Sequence, residues 1–166
     1  MTTLHHRADA MQDPSALREA LRCASSGEQV EAAERLGQLG DVIATGVLES
    51  ALADEDRPTA VRCAAATALG RIGWTRSCDP LSRVLAHSPD PLLRSATAAA
   101  LGSIGNPSAL PALTAGLASP TAEVRRACAT ALARLGAEGR EWLGVLATGG
   151  GMAATDAREA LAVLAS

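Results

Sequence analysis

The segment PTAVRCAAATALGRIG, residues 58–73, decides the fold because the chain repeats it. It returns as PLLRSATAAALGSIG at 91–105 and as PTAEVRRACATALARLG at 120–136. Looser copies are EQVEAAERLGQLG at 28–40 and DAREALAVLA at 156–165. Steps of 33, 32, 31 and 29 residues separate the leucine near the end of each copy, which is Leu36, Leu69, Leu101, Leu132 and Leu161. A helical unit repeated at this period predicts an α-solenoid.

Capping residues place the helix ends. Asp13-Pro14 and Asp90-Pro91 combine a side-chain acceptor with a proline that is tolerated in the first turn. The same device predicts starts at Asp79-Pro80, Asn106-Pro107 and Ser119-Pro120. Asp41 is expected to cap a helix that buries Ile43, and Thr155 is expected to cap the last helix. The pattern predicts an all-α solenoid of ten helices in five antiparallel pairs.

Composition bounds the domain and its partners. We expect a single domain over residues 13–166, preceded by a disordered segment at 1–12. Alanine and leucine dominate, and Trp74 and Trp142 are the sole aromatic residues. Trp142 is expected in the core, whereas Trp74 could be a core or an interface residue. The net charge of −3 argues against nucleic acid and anionic lipid as partners.

Cysteine and histidine usage predicts neither a metal nor a cofactor. The four cysteines are far apart, with no Cys-X-X-Cys pair, which favours reduced thiols in a cytoplasmic protein. His5 and His6 are adjacent in the N-terminal segment and are not expected to bind metal. No apolar run has the roughly 18 residues of a membrane span, and the N-terminus lacks the apolar stretch of a secretion signal.

The repeated residues resemble a known family. Asp90-Pro91, Leu93-Arg94, Ala100-Leu101-Gly102 and Ile104-Gly105 resemble the short bacterial type of HEAT repeat, which also occurs in phycobilin lyase subunits. The pattern returns at residues 61–73 and at 124–136, where Ala133 replaces the inner glycine. The resemblance implies a scaffold or binding module in which the second helix of each pair lines the concave face. It is specific for the fold and not for the function.

Three arginines recur at the same place in successive copies, namely Arg62, Arg94 and Arg125. As in similar repeats, we expect them to be structural and to pair with carboxylates of the preceding turn or of the next repeat. The candidate carboxylates are Asp54, Asp56 and Asp90. The alternative is a ladder of guanidinium groups for an anionic partner.

A second stripe is the candidate partner-binding surface. If the family geometry holds, short side chains floor a groove on the concave face and arginines stand on its walls, which suits an acidic or helical peptide. The predicted binding residues are Thr67, Arg71, Ser95, Ala99, Ser103, Arg126, Thr130, Arg134 and Trp74. An ordinary solvated helix face would have a similar composition.

The sequence contains no recognisable catalytic motif: there is no Gly-X-Ser-X-Gly turn and no phosphate loop. The favoured reading is therefore a non-enzymatic adaptor that binds a protein or peptide on the concave face. The first alternative is a phycobilin-lyase-like enzyme subunit that holds a tetrapyrrole in the same groove. The second is a nucleic-acid module like the HEAT-type DNA glycosylases, which the net charge disfavours.

Overall fold

The computed structural model describes residues 13–164, and within this range the chain forms ten α-helices and no strand. The predicted disordered segment 1–12, with His5 and His6, lies outside the described residues. The all-α class and the count of ten helices are confirmed.

The helices are short and follow one another closely. They are α1 (Pro14–Cys23), α2 (Ser26–Leu39), α3 (Thr45–Ala53), α4 (Thr59–Ile72), α5 (Cys78–His87), α6 (Pro91–Ile104), α7 (Leu110–Gly116), α8 (Ala122–Arg134), α9 (Ala137–Ala147) and α10 (Met152–Leu164). A single 3₁₀ turn precedes each of α3, α5 and α7, at Val42–Ala44, Thr75–Ser77 and Pro107–Ala109.

The helices stack in two layers. Each odd-numbered helix packs on the even-numbered helix that follows it, which gives five hairpins. The even-numbered helices form one continuous layer, and from α2 to α8 they pack on one another far more extensively than the odd-numbered helices do. Closer spacing in one layer curves a stack toward that layer. We call the even-numbered helices the inner layer and the odd-numbered helices the outer layer.

Glycine permits the close spacing of the inner layer. A Cβ atom on Gly37 would lie 2.7 Å from Ala68 Cα, one on Gly70 would lie 2.8 Å from Ala100 Cα, and one on Gly102 would lie 2.7 Å from Ala131 Cα. Any larger residue would push the two helices apart. In α8 the equivalent residue is Ala133, and α8 packs less extensively on α10.

Leucines and alanines fill the space between the layers. The largest fully buried side chains are all leucine: Leu17, Leu21, Leu36, Leu48, Leu52, Leu69, Leu81, Leu85, Leu93, Leu101, Leu113 and Leu132. Full burial of each contributes roughly 1.5–3 kcal/mol, and the small alanines let the helices approach. The repeated leucine is thus one of the fully buried core residues in each of the first four hairpins.

Several local expectations were wrong. Asp79 lies inside α5, which begins at Cys78 because a 3₁₀ turn leads directly into it. The helix expected to start at Ser119-Pro120 begins at Ala122, and Thr155 lies inside α10. Asp41 is a capping residue, but it caps the 3₁₀ turn before α3 and not an α-helix. Ile43, which was expected to be buried, lies in this turn and is 78% exposed.

Trp142 was expected in the core, and this expectation was wrong. Its side chain is 41% exposed on α9, in the outer layer. The neighbouring outer helix, α7, packs only slightly on α9.

Candidate functional site

The predicted binding stripe lies on the exposed side of the inner layer. Three neighbouring helices, α4, α6 and α8, supply its eight helical members. All are exposed except Ser95, which is half-buried: Thr67, Arg71, Ser95, Ala99, Ser103, Arg126, Thr130 and Arg134. The ninth predicted residue, Trp74, lies between α4 and α5 and is 40% exposed. The helical members therefore face solvent across three consecutive hairpins.

The glycine stack sets the register of this stripe. Arg71, Ser103 and Arg134 each directly follow the small residue at which neighbouring inner helices meet. Packed helices lie about 8–10 Å apart, so Arg71 and Arg134 are separated by roughly 16–20 Å across the stack. An extended peptide rises about 3.3 Å per residue and would cover that span with five or six residues.

The floor of the stripe consists of short side chains that bond to their own helices. Thr67 Oγ1 donates to the Cys63 carbonyl at 2.9 Å, and Ser103 Oγ donates to the Ala99 carbonyl at 3.0 Å. Each hydroxyl has thereby used its proton and retains lone pairs for an external donor. These two hydroxyls can accept hydrogen bonds from a backbone laid across the floor.

The arginines of the stripe differ in their freedom. Within the described part of the chain, neither Arg71 nor Arg134 has a carboxylate partner or a side-chain hydrogen bond. Arg126 Nε lies 3.6 Å from Asp156 Oδ1 and is partly neutralised. Glu34 on α2 and Glu159 on α10 are exposed near the two ends of the layer. Arginines also lie on these end helices, namely Arg35 and Arg158. Within the stripe, Ser95 Oγ donates to Glu123 Oε1 on α8 at 3.1 Å, so the middle of the layer contains one carboxylate beside its arginines.

Arg62 and Arg94 bind backbone rather than carboxylates. Arg62 Nε donates to the Leu52 carbonyl in the last turn of α3, at 2.9 Å. Arg94 Nε donates to the Leu85 carbonyl in the last turn of α5, also at 2.9 Å. Each arginine satisfies a carbonyl that its helix leaves unpaired and places a cation at the negative end of the helix dipole. Neither arginine forms the expected ion pair with a described carboxylate, although the charge of Arg62 contributes to the lowered pKa of Asp90.

Arg125 does pair with a carboxylate, and the partner is Asp156, a residue that the sequence did not single out. Arg125 Nε donates to Asp156 Oδ2 at 2.8 Å, and both side chains are buried. Arg125 Nη1 also donates to the carbonyls of Ser119 and Pro120 at 3.1 and 3.0 Å. The sequence contained a signal for the burial of Asp156, because this residue directly precedes Ala157 on the apolar side of α10.

Asp90 joins two hairpins, whereas Asp56 does not. Asp90 Oδ1 accepts from the Leu92 amide at 2.9 Å and so caps α6, while its Oδ2 accepts from Thr59 Oγ1 on α4 at 2.6 Å. The Thr59 hydrogen bond is the main reason that the pKa of Asp90 is lowered. Asp56 is exposed, and its backbone amide donates to Asp54 Oδ1 at 3.2 Å. The expectation that Asp56 pairs with an arginine was wrong.

The described residues form neither a metal site nor a membrane span, and their cysteines form no disulfide. No group of three or more His, Cys, Asp and Glu side chains is arranged to hold a metal ion between residues 13 and 163. None of the described helices is long and apolar enough to cross a membrane. All four cysteines are free, and burial raises the pKa of the Cys128 thiol to about 12.

Comparisons with known proteins agree with the two-layer stack. The family model for HEAT repeats matches residues 14–102 and 79–165. Human deoxyhypusine hydroxylase, in complex with glycerol, is 30% identical with a TM-score of 0.66; the match covers 75% of this chain and 43% of that one. The chain thus spans less than half of the hydroxylase. No curated protein matches the sequence.

Two further solved structures are similar in fold alone. The complex of CpcE and CpcF of phycocyanin lyase from Nostoc sp. is 22% identical over 84% of this chain and 71% of that one, with a TM-score of 0.57. Computationally designed armadillo repeat proteins for modular peptide recognition are 18% identical, with a TM-score of 0.59. The match covers 89% of this chain and 80% of that one.

These similarities correct one expectation. The absence of a catalytic motif led to the prediction that the chain is not an enzyme. That exclusion was wrong, because the similar structures include a hydroxylase and a lyase. The fold therefore occurs in enzymes as well as in designed peptide binders.

Proposed function

The chain belongs to the HEAT-repeat family, and on that premise we propose that it binds a protein or peptide partner on the concave inner layer. The observation that carries the proposal is the pair of unpaired arginines, Arg71 and Arg134, on either side of a floor of short side chains. Designed armadillo repeat proteins, which share this fold, are made for peptide recognition. The partner surface is formed by α4, α6 and α8.

The partner segment is acidic and extended. Its carboxylates reach Arg71 and Arg134, which requires two acidic residues about five or six positions apart in an extended chain. Its backbone lies over Thr67, Ala99 and Thr130, where no long side chain obstructs it.

The location and the excluded partners complete the proposal. Four free cysteines suit a reducing compartment, so we place the protein in the cytoplasm. The net charge of −3 disfavours nucleic acid and anionic membrane surfaces. The predicted roles of Ser95, Ser103 and Trp74 are to extend the same contact surface.

Charge reversal tests the proposal. Arg71→Glu with Arg134→Glu should abolish capture of partners that the wild-type protein retains in a pull-down followed by mass spectrometry. The matched control reverses Arg83 and Arg140, two exposed arginines of the outer layer, and should leave capture unchanged. Arg126 is left intact because it lies beside the buried Asp156. Equal loss in both double variants would contradict the proposed surface.

The tetrapyrrole alternative has a separate test. Its propionate groups would need the same arginines, and Trp74 is the sole aromatic side chain in the predicted stripe. Mixing the purified protein with a bilin should leave the visible absorbance spectrum unchanged if the peptide proposal is correct. A red-shifted, saturable spectrum that Arg71→Glu with Arg134→Glu removes would favour the tetrapyrrole.

A further inference from the structure

The outer layer contains a groove between α7 and α9, on the face opposite the proposed peptide surface. Its volume is about 390 Å³. Four apolar residues and two glutamates line it: Leu110, Trp142, Val145, Leu146, Glu138 and Glu141. Trp142 is 41% exposed and Val145 is 72% exposed.

Backbone geometry explains why this groove is open. A Cβ atom on Gly139 would lie 2.0 Å from the Leu132 carbonyl oxygen, so the first turn of α9 packs tightly against α8. α9 also packs on α10, whereas its packing on α7 is slight. The groove lies beside Leu110, the first residue of α7, where α7 and α9 leave a gap between them.

The charge of the groove is distinctive within the outer layer. The groove between α1 and α3 is lined by Arg22 and Arg57. The grooves between α3 and α5 and between α5 and α7 have both signs of charge, with Glu55 or Asp79 beside Arg83. The groove between α7 and α9 has two glutamates and no basic residue in its lining. Neither Glu138 nor Glu141 forms an ion pair or a side-chain hydrogen bond with another described residue.

We propose that the groove between α7 and α9 docks a basic amphipathic helix of a partner protein. Aliphatic side chains of that helix fill the apolar floor, and its lysines or arginines pair with Glu138 and Glu141. A basic side chain above the indole of Trp142 adds a cation–π contact. Tryptophan is a frequent anchor residue at interfaces, and this is one of two in the chain. The protein would thereby hold two partners of opposite charge on opposite layers.

A direct binding measurement tests the proposal. The probe is a synthetic helical peptide of about 16 residues, four to five turns, with leucines along one face and lysines beside them. Trp74→Leu makes Trp142 the sole tryptophan, so its fluorescence reports on the groove. We expect a saturable shift of the Trp142 emission that weakens as salt is raised, because surface charge attraction is screened.

Three variants assign the binding to the groove. Glu138→Gln with Glu141→Gln should weaken anisotropy-measured binding of the labelled peptide about tenfold, and Trp142→Ala should weaken it at least about tenfold. Glu31→Gln with Glu34→Gln, exposed glutamates of the inner layer, is the matched control and should bind as the wild type does. Arg71→Glu with Arg134→Glu should also bind normally, which separates this proposal from the concave-face function.

Four results would overturn the proposal. The first is that the peptide does not bind saturably, and the second is that the variant with both Glu138→Gln and Glu141→Gln binds with unchanged affinity. The third is that a peptide with glutamates in place of the lysines binds equally well. The fourth is that the protein self-associates through the groove. In the last case sedimentation would show a dimer that Trp142→Ala dissociates, and a second copy of the chain would be the occupant.

Discussion

Arg125 on α8 and Asp156 on α10 form a buried ion pair that connects the fourth hairpin to the fifth, with Nε and Oδ2 2.8 Å apart. The earlier inner-layer junctions rely on glycine-mediated contact between helices. At this junction Ala133 takes the place of the glycine, and the packing of α8 on α10 is less extensive. A charged contact thus supplements apolar contact at the junction where apolar contact is weakest.

Removing Asp156 should loosen the last hairpin. Asp156→Ala leaves the Arg125 guanidinium buried without its counter-ion, and breaking a buried pair in this way costs about 3–5 kcal/mol. We expect faster amide hydrogen exchange throughout α10 and a lower free energy of unfolding in urea. Glu159→Ala, an exposed change on the same helix, is the control. Protection of α10 that is equal in the two variants would contradict the assigned role.

Adding one methyl group to the inner layer should be destabilising. Gly102→Ala would place its Cβ 2.7 Å from Ala131 Cα and 2.8 Å from Ala131 Cβ, and overpacking of this kind costs about 1–3 kcal/mol. Gly144→Ala, within α9, has no atom within 4 Å of the new Cβ and should instead stabilise by about 0.5–1 kcal/mol. Urea unfolding of both variants measures the difference. Two changes of the same sign would refute the close-approach argument.

Thiol alkylation should follow burial and local charge. Cys23 is exposed, yet its Sγ donates to Glu19 Oε1 at 3.0 Å, which raises the pKa of the thiol and lowers its thiolate fraction. Glu19→Gln should lower that pKa and speed iodoacetamide labelling at pH 8 several-fold, shifting the rate profile to lower pH. Peptide mass spectrometry should find the buried Cys128 unlabelled in the native protein. Rapid labelling of Cys128 would contradict its burial.

The cap at Asp90 should give an acid-sensitive contribution to stability. Its pKa in the folded protein lies below the ordinary value of 3.8, chiefly because of the Thr59 hydrogen bond. The contribution is therefore complete above pH 3.8 and is lost as the pH falls through the folded pKa. Asp90→Ala should cost about 1–2 kcal/mol at pH 7. Urea unfolding should show this difference shrinking toward pH 3, and a constant difference would refute the assignment.

The repeat period was sufficient to predict the helix count and the pairing. Leu69 and its equivalents recur because each of the first four hairpins buries the same leucine, and a glycine such as Gly73 ends each early copy in the left-handed conformation. Helix starts were predicted less well. Proline is tolerated anywhere in the first turn, so Asp79-Pro80 could not reveal that α5 begins at Cys78. Those starts depend on the preceding 3₁₀ turn.

The site was predicted in part. The exposed positions of Thr67, Arg71 and Arg134 follow from helical spacing alone, because each is about half a turn from the buried face. Arg62 could not be assigned a partner in this way, since its acceptor is a backbone carbonyl whose freedom depends on where α3 ends. The exposure of Trp142 was equally hidden, because it depends on how slightly α9 packs on the neighbouring outer helix, α7.

The alanine at position 133 has a mechanical consequence. A column of stacked hairpins bends most at its least closely packed joint, and here that joint lies between α8 and α10. The first four hairpins should therefore move as one rigid body. The terminal hairpin should rotate relative to them, with the Arg125–Asp156 ion pair at the hinge. Trp142 belongs to this terminal hairpin. A force applied by a partner bound in the outer groove would therefore first change the contacts between α8 and α10.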